Sequence, residues 1–262
     1  MKSRCGGSKV GGPDWGLSRS LGWWLRGGLC LRLGAWLVVG LAAVVPLSVA
    51  AQQPAAQAAS VPTLPRRAAT VAGFVPAGWQ IEQQLAADLN HDSRPDLLLL
   101  LRTVPAQAGG SAAALSPQRL LAVLLGTSGG YALSAANARL IPQLDLSTQE
   151  DPLANGELTV QPGGFELQLG LMASVGSYQS ANLHYGFRLQ GACWRLVRYD
   201  RLETHRATLD TQDLRIDFLT GQVLRTKGNA QTDVSQVQRS RLARQPRLCL
   251  PDLGSALSFK PV

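Results

Sequence analysis

A chain of 262 residues allows one domain or two small ones, and a hydrophobic content of 45% is enough for a sizeable core. Charged residues make up only 16%, while Gly and Pro number 27 and 15, which excludes a coiled coil and a charge-rich disordered chain. The formal net charge of +8 invites a nucleic-acid reading, so the position of the charges decides what it means.

Met1–Leu33 is basic, with Lys2, Arg4, Lys9, Arg19, Arg26 and Arg32 against the single acid Asp14. The apolar run Gly34–Ala51 follows and ends in the small residues Ser48-Val49-Ala50-Ala51. A basic stretch, an apolar stretch and a small-residue exit are the parts of a secretory signal, so residues 1–51 are read as a signal peptide. The alternative is an uncleaved anchor, because the run is close to the roughly 18 residues that span a bilayer. Cleavage predicts a secreted or periplasmic chain with no stable membrane insertion; the uncleaved leader would make it membrane-anchored.

Without the leader, 19 basic and 16 acidic residues remain, a net charge of about +3. The densest basic cluster, Arg239, Arg241, Arg244 and Arg247, has no interleaved aromatics for base stacking, so no nucleic-acid partner is expected. Cys193 and Cys249 are the cysteines left outside the leader, and an oxidising compartment predicts that they form a disulfide.

Residues 52–72 are rich in Ala, Gln and Pro and read as a flexible linker. A mainly β domain is expected over 73–262, with antiparallel sheets throughout. It divides into a propeller-blade-like unit over 73–137, a second antiparallel β region over 156–227 and an irregular segment over 228–262. Asp96–Arg102 (DLLLLLR) is a short apolar run, as expected for a strand covered on both faces. QRLLAVLL and YALSAAN, joined by Gly126-Thr127-Ser128-Gly129-Gly130, read as a hairpin. In NLHYGFRLQ, Leu183, Tyr185, Phe187 and Leu189 point one way, and Asn182, His184, Arg188 and Gln190 the other. Trp79 and Trp194 read as core anchors. The segment 228–241 is polar and reads as loop.

One motif carries chemistry. Asp88-Leu89-Asn90-His91-Asp92-Ser93-Arg94-Pro95-Asp96 places side-chain oxygens at positions one, three, five and nine, and Arg94 offers its backbone carbonyl at position seven. Alternate oxygens on a tight loop converge on one point, and hard oxygens are what Ca²⁺ requires. The predicted calcium ligands are therefore Asp88, Asn90, Asp92, Arg94 and Asp96. Position six is Ser93, where a turn with positive φ would favour Gly.

The string ADLNHDSRPDLLLLL resembles the FG-GAP or VCBS type of repeat, in which D-x-N-x-D-G-x-x-D precedes an apolar strand. That resemblance covers about 79–101 and implies a structural calcium loop between strands of a propeller blade. More widely, the chain resembles uncharacterised bacterial secreted proteins with a single such segment. These share a late Trp-x-Leu strand, here at Trp194, and an N-[FY]-L-T-G turn, here Asp217-Phe218-Leu219-Thr220-Gly221. The resemblance implies secretion, β architecture and no established activity.

Rival chemistry is thinner. Gly126–Gly130 matches G-x-S-x-G, but a strand follows it where a nucleophile elbow needs a helix. His91, His184 and His205 lack zinc-like spacing. Asp145, Glu150, Asp151 and Glu157 read as solvated loop charges. The reading is a non-enzymatic binding or structural module of unknown ligand; the alternative is an envelope hydrolase with an unrecognised site.

Overall fold

The five consecutive leucines Leu97–Leu101 form the strand that organises the first sheet. Side chains of a strand alternate between its faces, so a run with no polar member needs cover on both. The computed structural model, which describes residues 61–104 and 115–261, supplies that cover. Leu98 and Leu100 join one core with the second sheet, while Leu97, Leu99 and Leu101 pack beneath Phe74 and Leu64. All five are at most 3% exposed. Each such leucine contributes roughly 1.5–3 kcal/mol of hydrophobic stabilisation.

The first sheet contains β1 (Arg67–Ala68), β2 (Trp79–Ala87), β3 (Asp96–Thr103), β4 (Arg119–Thr127) and β5 (Gly130–Asn137). Its order is β1-β5-β4-β3-β2, with every pair antiparallel. The second sheet is a seven-stranded antiparallel meander. It runs through β6 (Glu157–Gln161), β7 (Gly164–Met172), β8 (Gln179–Gln190), β9 (Cys193–His205), β10 (Asp210–Asp217), β11 (Gln222–Asn229) and β12 (Thr232–Arg241). The fold is mainly β with two antiparallel sheets, as the sequence predicts.

The inner face of the second sheet is set by period-two alternation. Leu183, Tyr185 and Phe187 are at most 1% exposed and share a core with Phe165, Trp194, Leu121 and Val123. Phe165 stacks on Phe187 at 4.8 Å. The Trp194 indole N–H donates to Ser134 Oγ at 2.8 Å, a polar tie from the second sheet to the first. Trp79 packs against the smaller core on the far side of the first sheet.

Two sequence expectations are corrected. Thr232–Arg241 is a strand, not an irregular segment; it pairs with β11 from Gln222↔Arg241 to Asn229↔Thr232. Its pattern is hidden because it is the sheet's edge and is largely exposed, so no apolar face is selected. Order also begins earlier than residue 73: Arg67–Ala68 pairs with β5, and Val71–Phe74 forms a 3-10 turn that buries Phe74. The predicted signal peptide (1–51) and residues 52–60 of the predicted linker lie outside the described residues.

The C-terminal segment holds the two sheets together. Cys249 is disulfide-bonded to Cys193 at the start of β9, as predicted, and Leu196 N–H donates to the Leu248 carbonyl at 2.8 Å. From the first sheet, the buried Asn137 amide donates to the carbonyls of Leu250 (2.6 Å) and Leu253 (2.9 Å).

Candidate functional site

The acidic loop joins β2 to β3 and is built from nested side-chain-to-backbone turns. Asp88 accepts the amides of Asp92 (3.1 Å) and Ser93 (3.0 Å) on its two oxygens. Asn90 Oδ1 accepts the Asp92 amide at 3.0 Å, and Asp92 Oδ1 accepts the Arg94 amide at 2.8 Å. Short polar side chains that bond the backbone two to five residues on favour such turns over strand pairing. His91 and Ser93 both sit at φ 64°, the left-handed region, so position six has the conformation that Gly would adopt without strain.

Asp88, Asn90 and Asp92 are therefore brought together at the surface, while Asp96 is placed differently. Asp96 is fully buried, and its oxygens accept the amides of Leu89 (2.9 Å) and Gly126 (2.8 Å). Burial pushes its carboxyl above the ordinary value, against the pull of those two amides. Gly126 leaves room for this approach, since a Cβ there would lie 2.7 Å from the Pro95 carbonyl. Asp92 is held below the usual carboxylate range by the Asn90 amide and then by the Arg94 N–H.

The donor set bears on calcium directly. Among the described residues, no three or more His, Cys, Asp or Glu side chains group as a metal site. With Asp96 turned inward, the loop offers two carboxylates, one amide oxygen and the Arg94 carbonyl. Each carboxylate oxygen that accepts one amide keeps a second lone pair. Such a set fits a hard cation that retains several waters, at the weak end of calcium affinities.

The loop also reaches the second sheet. Gly163 N–H donates to the Asp88 carbonyl at 3.1 Å, and Leu89 is fully buried in the shared core. Gly163 has φ 77° in the β6–β7 turn, and a Cβ there would stand 2.4 Å from His91 Nε2.

The outer face of the second sheet carries an open depression of about 480 Å³. Gly186 opens it, flanked by Glu166, Arg198, Asp200 and Arg215. His184 bridges the acids: Nε2 meets Glu166 at 3.0 Å and Nδ1 meets Asp200 at 3.3 Å. Arg198 Nε donates to Asp200 Oδ2 at 2.7 Å. The hydrogen bond to Asp200, opposed by burial and helped by Glu166, raises the His184 imidazole above its ordinary value. Burial pushes Asp200 up, but His184 and Arg198 together hold it below the carboxylate range.

Sequence reasoning missed a buried ion cluster. Arg119 is 4% exposed and is bidentate to Glu82 (2.7 and 2.9 Å) and to Asp151 (2.8 and 3.0 Å). Asp151 is therefore not a solvated loop charge. The available signal was Arg119 itself, the one cation at the head of an otherwise apolar strand. Ser128 lies in the two-residue turn between antiparallel β4 and β5, so G-x-S-x-G here is a hairpin. His205 ends β9 and accepts the Thr208 amide at 3.1 Å.

No protein-family model, curated protein or solved structure matches this chain. Among the described residues, no helix is long and apolar enough to cross a membrane.

Proposed function

We propose that this chain is a secreted or periplasmic binding and structural module of the FG-GAP/VCBS-like type, stabilised by one calcium ion in the 88–96 loop. Asp88, Asn90, Asp92 and the Arg94 carbonyl hold the ion, with water completing the shell; Asp96 fixes the base of the loop to β4. The supporting observation is the clustering of Asp88, Asn90 and Asp92 around left-handed residues at positions four and six. The ion is structural: it stiffens a loop that touches both sheets, and so fixes how the second sheet presents its open face.

Calcium titration of the purified protein by calorimetry tests the reading. One saturable site per chain is expected, with Kd of about 10⁻⁴–10⁻³ M. No saturable binding in that range overturns it.

A further inference from the structure

The second sheet is wider than the first, and part of its inner face lies beyond the shared core. Cross-strand pairing orders that face in rows. Tyr199, Ile216 and Val223 form a buried row; Arg201, Leu214 and Arg225 form the next; Glu203, Gln212 and Lys227 form the one after. Arg201 and Arg225 thus stand two strands apart, roughly 10 Å, with Leu214 between them. The C-terminal residues Phe259, Lys260 and Pro261 close one side, leaving a pocket of about 270 Å³.

We infer that this pocket binds a small organic anion, a phosphate or carboxylate carried on an apolar body, between Arg225, Lys227 and Lys260. Charge is the first argument. Four cations line the pocket, and among the described residues the one carboxylate on the same face, Glu203, is already engaged by Arg201. Asp213 borders the pocket by its backbone, because its side chain is on the opposite face, paired with Arg215 at 2.8 Å.

The second argument is shape. Tyr199 Oη and Arg201 Nε are sealed from solvent behind the pocket wall, where the Tyr199 hydroxyl lies beside Arg201 and Tyr185. They brace that wall, and Arg225, Lys227 and Lys260 are the lining cations left to meet an anion. The apolar body has its own wall: Phe259 packs edge-on to Tyr199 at 5.1 Å, and Leu214 forms part of the floor.

The inference rests on reading the chain as a binding module but not on the calcium loop, which lies on the other sheet. The test is titration of the purified protein with phenyl phosphate, benzoate, inorganic phosphate and phenol, in the presence of chelator. Phenyl phosphate and benzoate are expected to bind one per chain, each at least about tenfold more tightly than phenol, and phenyl phosphate more tightly than inorganic phosphate. Arg225→Gln with Lys227→Gln should weaken phenyl phosphate binding at least about tenfold. Arg239→Gln with Arg241→Gln on the edge strand should leave it unchanged. Absence of binding, or equal weakening by the two double variants, overturns the inference. Since chelator is present throughout, a failure here is separate from a failure of the calcium reading.

Discussion

The Gly163 amide donates to the Asp88 carbonyl across 3.1 Å, joining the acidic loop of the first sheet to the β6–β7 turn of the second. Gly163 has no side chain to push against His91, whose Nε2 would lie 2.4 Å from a Cβ at that position. The residue that opens the candidate ion loop, Asp88, is therefore also a point where the sheets meet.

Ser93 is held at φ 64° in that loop. A non-Gly residue there costs about 1–2 kcal/mol, part of which Gly gives back through its freer unfolded chain. Ser93→Gly should raise stability by about 0.5–1 kcal/mol, measured by urea unfolding in chelator, where calcium plays no part.

Among the described residues, Arg119 is the only cation meeting Glu82 and Asp151 within hydrogen-bond distance. Removing it leaves two largely buried carboxylates uncompensated, so Arg119→Ala should cost about 3–5 kcal/mol. Arg119→Lys should rescue little, because an ammonium cannot serve two bidentate partners. Denaturant midpoints for the two variants check both statements.

The Cys193–Cys249 bridge spans a sequence separation of 56 residues. On a chain-entropy basis its loss should cost about 4 kcal/mol. Comparing unfolding of the wild-type protein with Cys193→Ser/Cys249→Ser measures it. The double variant should also show faster amide exchange around Leu248 and Leu250, whose backbone meets β9 and Asn137 beside the bridge.

His184 is raised above its ordinary value of 6.5 in the folded protein. The imidazolium is thus favoured by folding. Its contribution is fully present below about pH 6.5 and is lost as pH rises through the folded value. Wild-type stability should therefore fall as pH rises above about 6.5, relative to His184→Gln. Parallel profiles for the two proteins would remove His184 as the source.

The leucine run, the alternation of NLHYGFRLQ and the disulfide were legible because each rests on a local pattern or on compartment chemistry. The edge strand Thr232–Arg241 was not, because exposure on both faces erases the period that marks a strand. The partners of Arg119 were hidden for another reason: Glu82 and Asp151 are 37 and 32 residues away, and only the packing of β2, β4 and the β5–β6 connection joins them. In the acidic loop, spacing foretold that Asp88, Asn90 and Asp92 would cluster. It gave no sign that Asp96 turns inward to Leu89 and Gly126, since that choice depends on where β4 ends.

Thermal unfolding with calcium and with chelator, on the wild-type protein and on Asp92→Ala, tests the central claim most directly. At about ten times Kd, calcium should add about 1.4 kcal/mol to the wild type, raising its melting temperature by roughly 3–6 °C. Asp92→Ala should show no shift. Identical wild-type melting temperatures in calcium and in chelator would contradict the account.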